Sequence, residues 1–315
     1  MAAITDTPHF QEAEKARAFL ENLRWPNGPV CPHCKGMKAY KLKPKANSKK
    51  PVRPGVYKCH DCEQQFTVTV NTIFEDSHIL LHKWLYAIHL LCASKKGMSA
   101  HQLHRMLEVT YKTAWFMAHR IRYMMSQPSY KQKMVGIVEA DETYVGGKRK
   151  NQGGRGRPDV YSHKQAVFAL VNRGGDVRSF HVERVTAYNL RSILWKNAHP
   201  STTIMTDSFA SYDNLKGQFN THYQVNHSIG EYSRREPGKP VIHTNTIEGV
   251  FSLLKRGIYG TYHQVGKHHL HRYLAEFDFR YNARKISDTE RTLLALSQAE
   301  GKRLQLRDSV SATGQ

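Results

Sequence analysis

The 315-residue chain carries 47 Lys and Arg against 26 Asp and Glu, a formal net charge of +21, with 40% hydrophobic residues. This length suffices for two or three folded domains, and so large a positive excess predicts a polyanionic partner. The sequence contains no apolar run near the roughly 20 residues of a membrane-spanning helix and no signal-peptide pattern. We therefore expect a cytoplasmic protein without membrane association, whose partner is nucleic acid.

Two Cys-x-x-Cys pairs dominate the N-terminal part, after an amphipathic helix predicted over residues 8–24. Cys31-Pro-His-Cys34 and Cys59-His-Asp-Cys62 are separated by 24 residues. This spacing predicts a zinc ribbon in which Cys31, Cys34, Cys59 and Cys62 bind one structural Zn²⁺. The alternatives are two disulfides or a redox pair, which a reducing compartment disfavours. The fifth cysteine, Cys92, is expected to pack in an apolar helix.

The segment between the two cysteine pairs is basic: residues 35–58 carry nine Lys or Arg and no acid. It is either a solvated loop or an arm that contacts phosphates, and the overall charge favours the arm. Residues 66–74 alternate with period two, which predicts the last strand of the ribbon.

A helix-turn-helix layout is predicted next. A helix over residues 78–93 precedes a short helix over 99–107, a tight turn and a longer helix over 111–125. Lys112, Arg120 and Arg122 on the longer helix are expected to contact DNA. Helix pairs of this kind also serve as scaffolding, so both interpretations stay open.

Beyond residue 128 the pattern changes to strands. The strand over residues 137–145 ends at a basic tip, where Lys148 and Arg149 are expected to contact DNA. Two strands (165–172 and 177–182), a helix (189–198), a strand (202–207), a helix from residue 213, a short strand (223–226) and a helix near residue 245 follow. This order predicts a ribonuclease-H-like mixed sheet. The expected fold class is therefore α/β multidomain, with a zinc ribbon and helix-turn-helix before this sheet.

Acidic side chains are expected to meet at one edge of the sheet. Asp141 lies on the first strand and Asp207 ends the fourth, and sites in such sheets cluster where the strand order switches. Glu248 follows Asn245 by three residues, hence on the same helical face. Converging carboxylates repel one another unless cations neutralise them, and this set suits two Mg²⁺ (or Mn²⁺) ions that support attack on a phosphodiester.

The acidic stretch around Asp141 holds two more carboxylates. Glu139 shares the face of Asp141 and is expected to support the site, whereas Glu142 points to the other face. By itself, the stretch also fits an edge strand with a solvated acidic face.

Four motifs together carry a family resemblance. They are the cysteine ribbon, Asp-Glu-Thr-Tyr-Val-Gly-Gly-Lys at 141–148, Thr-Asp-Ser-Phe-Ala-Ser-Tyr at 206–212, and His-Thr-Asn-Thr-Ile-Glu-Gly-Val-Phe-Ser-Leu-Leu-Lys-Arg at 243–256. Over about residues 28–285 the chain resembles bacterial insertion-sequence transposases of the DDE class with an N-terminal zinc ribbon (ISXO2-like). The resemblance implies movement of a short DNA element by cut-and-paste or copying, with Asp141 and Asp207 as the first two acids. Some members end the triad with Asn, so Asn245 competes with Glu248; a carboxylate is the better ligand for a hard cation.

The expected organisation has four segments: 1–75, the N-terminal helix and ribbon; 76–128, the helical DNA-binding region; 129–290, the catalytic domain; and 291–315, a helix end and disordered tail. Lys255 and Arg256 are expected to clamp phosphates. The leading hypothesis is a transposase that assembles as a homo-oligomer on double-stranded DNA, both element ends and target. The alternatives are a transposase-derived regulator without catalysis and a structure-specific nuclease.

Overall fold

The computed structural model describes residues 7–43, 52–127, 132–146, 164–213, 215, 217–306 and 308. Its helices are α1 (Pro8–Gln11), α2 (Ala13–Arg24), α3 (Leu81–Ala93), α4 (Ala100–Leu107), α5 (Tyr111–Met125), α6 (Ala187–Asn197), α7 (Asn245–Gly257), α8 (Leu270–Asn282) and α9 (Asp288–Ser297). Its strands are β1 (Ala39–Lys41), β2 (Tyr57–Cys59), β3 (Gln65–Phe66), β4 (Ile137–Val145), β5 (Gln165–Asn172), β6 (Val177–Val182), β7 (Thr203–Asp207), β8 (Thr221–Val225), β9 (Ser233–Arg234) and β10 (Ile242–His243).

Contacts divide the chain into two compact units. The first comprises residues 1–94, 100–125 and 286–315, and the second comprises residues 95–99 and 126–285. No helix in the described ranges combines the length and the apolar character that a membrane crossing requires.

The first unit contains a small antiparallel sheet in the order β1-β2-β3. Its core is aromatic: the Trp25 ring lies 5.4 Å from Tyr57 and 5.7 Å from Phe66, edge-on to both. Arg24 at the end of α2 donates to the backbone oxygen of Val68 at 2.6 Å, which ties the helix to the chain beyond the ribbon. So small a sheet cannot bury a large core, and a metal site would therefore stabilise it.

Two expectations for this region hold only in part. The helix predicted over residues 8–24 is interrupted at Glu12, whose backbone is extended (φ −113°, ψ 129°). Residues 66–74, expected to form the last ribbon strand and the exit from it, are a strand only at Phe66, and turns follow. The apolar side chains of this segment still lie in the core: Val68, Ile73 and Phe74 are buried although their backbone forms turns.

Four helices complete the first unit. α3 is apolar on most of its surface and is largely buried, and α4 and α5 agree with the predicted short and long helices. α9 begins with a capping box between Ser287 and Glu290. It packs on α3, where Thr292 Oγ1 lies 3.0 Å from His89 Nδ1. The C-terminal helix therefore belongs with the N-terminal helices.

The second unit is built on a mixed five-stranded sheet in the order β6-β5-β4-β7-β8. β6, β5 and β4 are antiparallel, whereas β4, β7 and β8 are parallel. Apolar cores lie on both faces, one including α6 and the other including α7 and α8. Burial on both faces explains why β5 is almost continuously apolar. The helix predicted from Asp213 is not found in the described residues, where Ala210–Tyr212 forms a single 3₁₀ turn.

The helices α7 and α8 are fixed to the sheet by specific contacts. Asp278 of α8 accepts hydrogen bonds from the backbone N–H (2.7 Å) and hydroxyl (2.6 Å) of Ser179 on β6. Gly257 ends α7 where a Cβ would stand 2.3 Å from the Phe277 ring, so the close approach of the two helices requires glycine.

Candidate active site and zinc centre

The four ribbon cysteines converge with the geometry of a metal site. Cys31 Sγ lies 3.6 Å from Cys62 Sγ, and Cys34 Sγ lies 3.5 Å from Cys59 Sγ. All four sulfurs are within 4.8 Å of one another, and none forms a disulfide. A tetrahedral Zn²⁺ with Zn–S bonds of about 2.3 Å requires S···S edges of about 3.8 Å. The donor set therefore fits structural zinc.

Backbone N–H groups of the knuckles donate to the sulfurs, but the four thiols also influence one another. N–H groups of Cys62 and Asp61 point at Cys59 and lower the pKa of its thiol to about 7. The N–H of Gly36 donates to Cys34 Sγ at 3.4 Å, yet the neighbouring thiols and burial raise the pKa of Cys34 to about 12 and also raise that of Cys62. Thiols this close cannot all ionise without a cation, which agrees with a metal site.

In the second unit, the strand register brings two predicted acids together. β4 and β7 pair in parallel with Glu139 opposite Met205. The same register, continued two residues toward the carboxyl ends, brings Asp141 beside Asp207, the last residue of β7. Backbone N–H groups orient both carboxylates: that of Glu142 donates to Asp141 Oδ1 at 2.7 Å and that of Phe209 to Asp207 Oδ1 at 3.1 Å.

The acids at this edge of the sheet disfavour one another's charge. Burial, followed by the charges of Asp207, Glu142 and Glu248, raises the pKa of Asp141 to about 8. Burial is also the main cause of the raised pKa of Asp207 and of Glu142, each above its ordinary range. A bound cation would remove this repulsion, so the cluster has the electrostatics of a cation site.

The acids do not form a closed cage. Among the described residues, only the four ribbon cysteines bring three or more His, Cys, Asp or Glu ligand atoms within 4.8 Å of one another, so no three of the acids at this edge lie that close. Mg²⁺ usually takes only one or two carboxylates and completes its shell with water and phosphate oxygens. An open arrangement of carboxylates fits that use.

Glu248 lies in the first turn of α7, with its side chain 46% exposed. Its Oε1 accepts from Thr244 Oγ1 at 3.2 Å and lies 3.5 Å from His227 Nε2. His227 Nε2 is in turn 3.2 Å from Thr244 Oγ1. This triangle of contacts orients the Glu248 carboxylate. Asn245 is exposed at the first position of α7.

Glu139 holds the start of α7 against β4. It is fully buried and accepts from the N–H groups of Thr246 (2.8 Å) and Ile247 (3.0 Å), and from the Thr246 hydroxyl (2.9 Å). These N–H groups belong to the first turn of α7, where the preceding Thr244 makes no side-chain cap. Glu139 therefore caps the helix from another element, and its charge favours the helix N-terminus. Sequence reasoning expected a supporting carboxylate here but missed the capping role.

Arg173, in the turn between β5 and β6, completes this connection. Its Nε donates to Glu139 Oε1 at 2.7 Å, while Nη1 and Nη2 donate to the carbonyls of Val241 (2.6 Å) and His243 (2.9 Å). The guanidinium thus links β4 to the chain entering α7. Sequence reasoning did not single out Arg173 or His227, since their partners lie far away in the sequence. Tyr212, whose hydroxyl bonds Glu142, was missed for the same reason.

The predicted DNA-contacting residues divide into three groups. Arg120 and Arg122 are only 4% and 2% exposed, and Arg120 donates to the Glu75 carbonyl and lies over the Trp84 ring. The expectation that these two arginines face DNA is wrong, because the later turns of α5 are enclosed within the first unit. Lys112 and Arg256 are exposed and Lys255 is half-buried. Lys148, Arg149 and the arm residues Lys45, Lys49 and Lys50 lie outside the described residues.

Comparison with known proteins agrees with this architecture. Residues 12–65 match the family model of the transposase zinc-ribbon domain, and residues 133–282 match that of the ISXO2-like transposase domain. The chain is also 29% identical, over 291 residues, to an uncharacterized protein in transposable element ISH50 of Halobacterium salinarum, covering 86% of this chain and 91% of that protein.

These matches indicate the transposase family of an insertion sequence. More narrowly, residues 12–65 belong with the transposase zinc-ribbon domains and residues 133–282 with the ISXO2-like transposase domains. The resemblance predicted from the sequence motifs is confirmed.

Proposed function

We propose that the chain is a metal-dependent DNA transposase that binds the ends of its element and catalyses phosphodiester cleavage and strand transfer. One observation carries the proposal: Asp141 is half-buried at the carboxyl end of β4, where desolvation and the charges of Asp207, Glu142 and Glu248 raise its pKa to about 8. Like charges held this close repel one another without cations, and carboxylates are the ligands that hard divalent ions prefer.

Asp141, Asp207 and Glu248 would hold two Mg²⁺ or Mn²⁺ ions. When bound, such ions activate a water or 3′-hydroxyl and stabilise the leaving oxygen of an in-line displacement. The role of Glu139 is positional: it fixes the first turn of α7, which carries Glu248, to the strand that carries Asp141. Glu248 is favoured over Asn245 as the third ligand because a carboxylate is the better ligand for a hard cation, and its charge acts on Asp141. Asn245 would then orient substrate or a ligand from the same turn.

The rest of the chain supplies DNA binding in this proposal. The second unit is ribonuclease-H-like, supported by its three antiparallel strands followed by two parallel strands and by helices on both faces. The ribbon (1–75) and the α4–α5 pair, a helix-turn-helix within 76–128, recognise the element ends, and residues 129–290 carry the chemistry. Lys112, Lys148, Arg149, Lys255 and Arg256 contact phosphates.

Two DNA ends must be held together for transposition, so the protein acts as a homo-oligomer on double-stranded DNA in the cytoplasm. In this proposal α9 has a structural role, because it packs on α3 of the first unit.

The test is incubation of the zinc-loaded protein with radiolabelled DNA carrying the element ends, with and without Mg²⁺. We expect Mg²⁺-dependent nicks at the ends and joined products with target DNA. Binding without nicks would assign the chain to regulators that have lost catalysis. Nicks at any branched DNA, without dependence on the end sequence, would assign it to structure-specific nucleases. Asp207→Asn should bind the ends with unchanged affinity and give neither product.

A further inference from the structure

The outer face of α6 carries two large aromatic side chains that the core does not use. Tyr188 and Trp195 are 81% and 56% exposed. They are seven residues apart, so they lie on the same side of the helix about 10 Å from each other. Between and beside them runs a groove of about 430 Å³, lined by Tyr188, Arg191, Ser192, Trp195, Lys196 and Gln218.

We propose that this face, the α6 platform, binds an unpaired segment of a DNA strand, with bases stacked on Tyr188 and Trp195 and phosphates on the neighbouring cations. The inference rests on the proposed function, since a DNA-cutting enzyme is the source of unpaired strand at this site. Aromatic rings stack on any base, and a positively charged groove follows the backbone. The helical rise of about 10 Å between the two positions corresponds to about three base steps of 3.4 Å in one strand.

The charges of the groove favour nucleic acid over a second copy of the chain. Its lining contains Arg191 and Lys196 and no acid. A symmetric dimer through this face would bring the same cations of two subunits together, which is repulsive. A polyanion neutralises them instead.

Two side chains of the platform are held in place before any ligand binds. The Trp195 indole N–H donates to Gln218 Oε1 at 3.1 Å, and Arg191 donates to the carbonyl of Asp213. Lys133 Nζ donates to the Trp195 backbone carbonyl at 2.6 Å and so anchors the helix backbone at this position. A fixed indole ring loses little conformational entropy on stacking, so preorganisation of Trp195 favours binding.

The platform is connected to the acidic edge of the sheet. α6 packs against Ala210–Tyr212, the turn that follows Asp207, and Arg191 bonds the next residue, Asp213. Tyr212 of this turn bonds Glu142, whose charge acts on Asp141. The platform therefore shares with the acidic edge the turn that follows Asp207.

The experiment measures the affinity of the full-length, zinc-loaded protein for a fluorescein-labelled 15-nucleotide dT strand and for a 15-base-pair duplex, by anisotropy without added Mg²⁺. The double variant Y188A/W195A should weaken single-strand binding by about tenfold or more and duplex binding by less than about twofold. With Tyr188 intact, Trp195→Phe should keep most of the single-strand affinity that Y188A/W195A loses, because a phenyl ring still stacks. Leu294→Ala, which removes an exposed apolar side chain from α9, is the matched control and should change neither affinity.

Unchanged single-strand binding by Y188A/W195A would overturn the proposal, as would equal losses for strand and duplex. Sedimentation of the same variant supplies a further outcome: loss of self-association with unchanged DNA binding would assign the face to a second copy. If the platform binds the strand while the wild type never cuts element ends, the proposed function fails and this inference stands. If the wild type cuts element ends while Y188A/W195A binds the dT strand normally, the proposed function stands and this inference fails.

Discussion

Replacing a carboxylate by its amide should change the stability of the fold in opposite directions at two positions on one face of β4. Glu139→Gln removes the charge that caps α7 and pairs with Arg173, whereas Asp141→Asn removes a charge that its surroundings disfavour. In the zinc-loaded protein without Mg²⁺, we expect the first change to destabilise the fold and the second to stabilise it.

The magnitude for Glu139 follows from its contacts. It accepts four hydrogen bonds, one of them from Arg173, while fully buried. Removing one partner of a buried ion pair costs about 3–5 kcal/mol. Gln keeps one acceptor oxygen but directs an NH₂ group at donors, so we expect a loss of about 2–4 kcal/mol, or roughly 5–10 °C in Tm.

The sign for Asp141 depends on pH. The unfolded chain releases this proton near the ordinary value of 3.8, whereas the folded chain keeps it until a pKa of about 8. Wild-type stability therefore falls as pH rises from about 4 to about 8, and Asp141→Asn escapes that loss. The full difference would be about 6 kcal/mol, and relaxation with water entry reduces it to about 1–3 kcal/mol at pH 8. Near pH 4 the gain should vanish.

Urea and thermal unfolding of the full chain, followed by circular dichroism at pH 5 and pH 8, measures both effects. Glu183→Gln is the control, because its carboxylate is 79% exposed and should change stability by less than about 0.5 kcal/mol. If both variants shift stability in the same direction at pH 8, the assignment of cap and metal ligand is wrong. A gain for Asp141→Asn that does not grow with pH would refute the electrostatic explanation.

Three further predictions follow from the described contacts. Cys59→Ser should reduce bound zinc, measured by plasma mass spectrometry, from one ion per chain to none, whereas Cys92→Ala should leave it at one; retained zinc in Cys59→Ser would contradict the four-thiolate site. Lys112→Ala should weaken binding of element ends and lower its salt dependence at unchanged Tm, whereas Arg120→Ala should lower Tm by about 5–10 °C because its buried contacts are structural. Glu248→Gln should abolish end cleavage and Asn245→Ala should leave measurable cleavage; the reverse order would make Asn245 the third ligand.

Much of the fold was predictable because local signals and tertiary structure agree. β5 and β6 have the predicted bounds, since Arg173-Gly-Gly-Asp176 marks the turn between two β-branched and aromatic segments too short for helices. The cysteine spacing predicted the metal cluster, because the donors of a knuckle are neighbours in the sequence. The order of strands was sufficient for the mixed sheet.

Features that depend on distant partners could not be predicted. Arg120 and Arg122 appeared to be surface cations, since nothing in α5 itself shows that its later turns are enclosed. The cap by Glu139 joins residues 107 and 108 positions apart, so no local pattern reveals it. The start of α9 was different: Ser287 and Glu290 form a visible capping-box signature that sequence reasoning passed over.

The most direct measurement of the central claim is single-turnover cleavage of labelled element ends at saturating protein, comparing the wild type with Asp141→Asn over a Mg²⁺ titration. The wild type should cut only with the divalent ion. Asp141→Asn should occupy the DNA equally and cut at least about a thousandfold more slowly at every Mg²⁺ concentration, as expected when a metal-binding carboxylate is lost. Cleavage by Asp141→Asn at the wild-type rate, or cleavage by the wild type without a divalent ion, would contradict a metal-dependent site built on this strand.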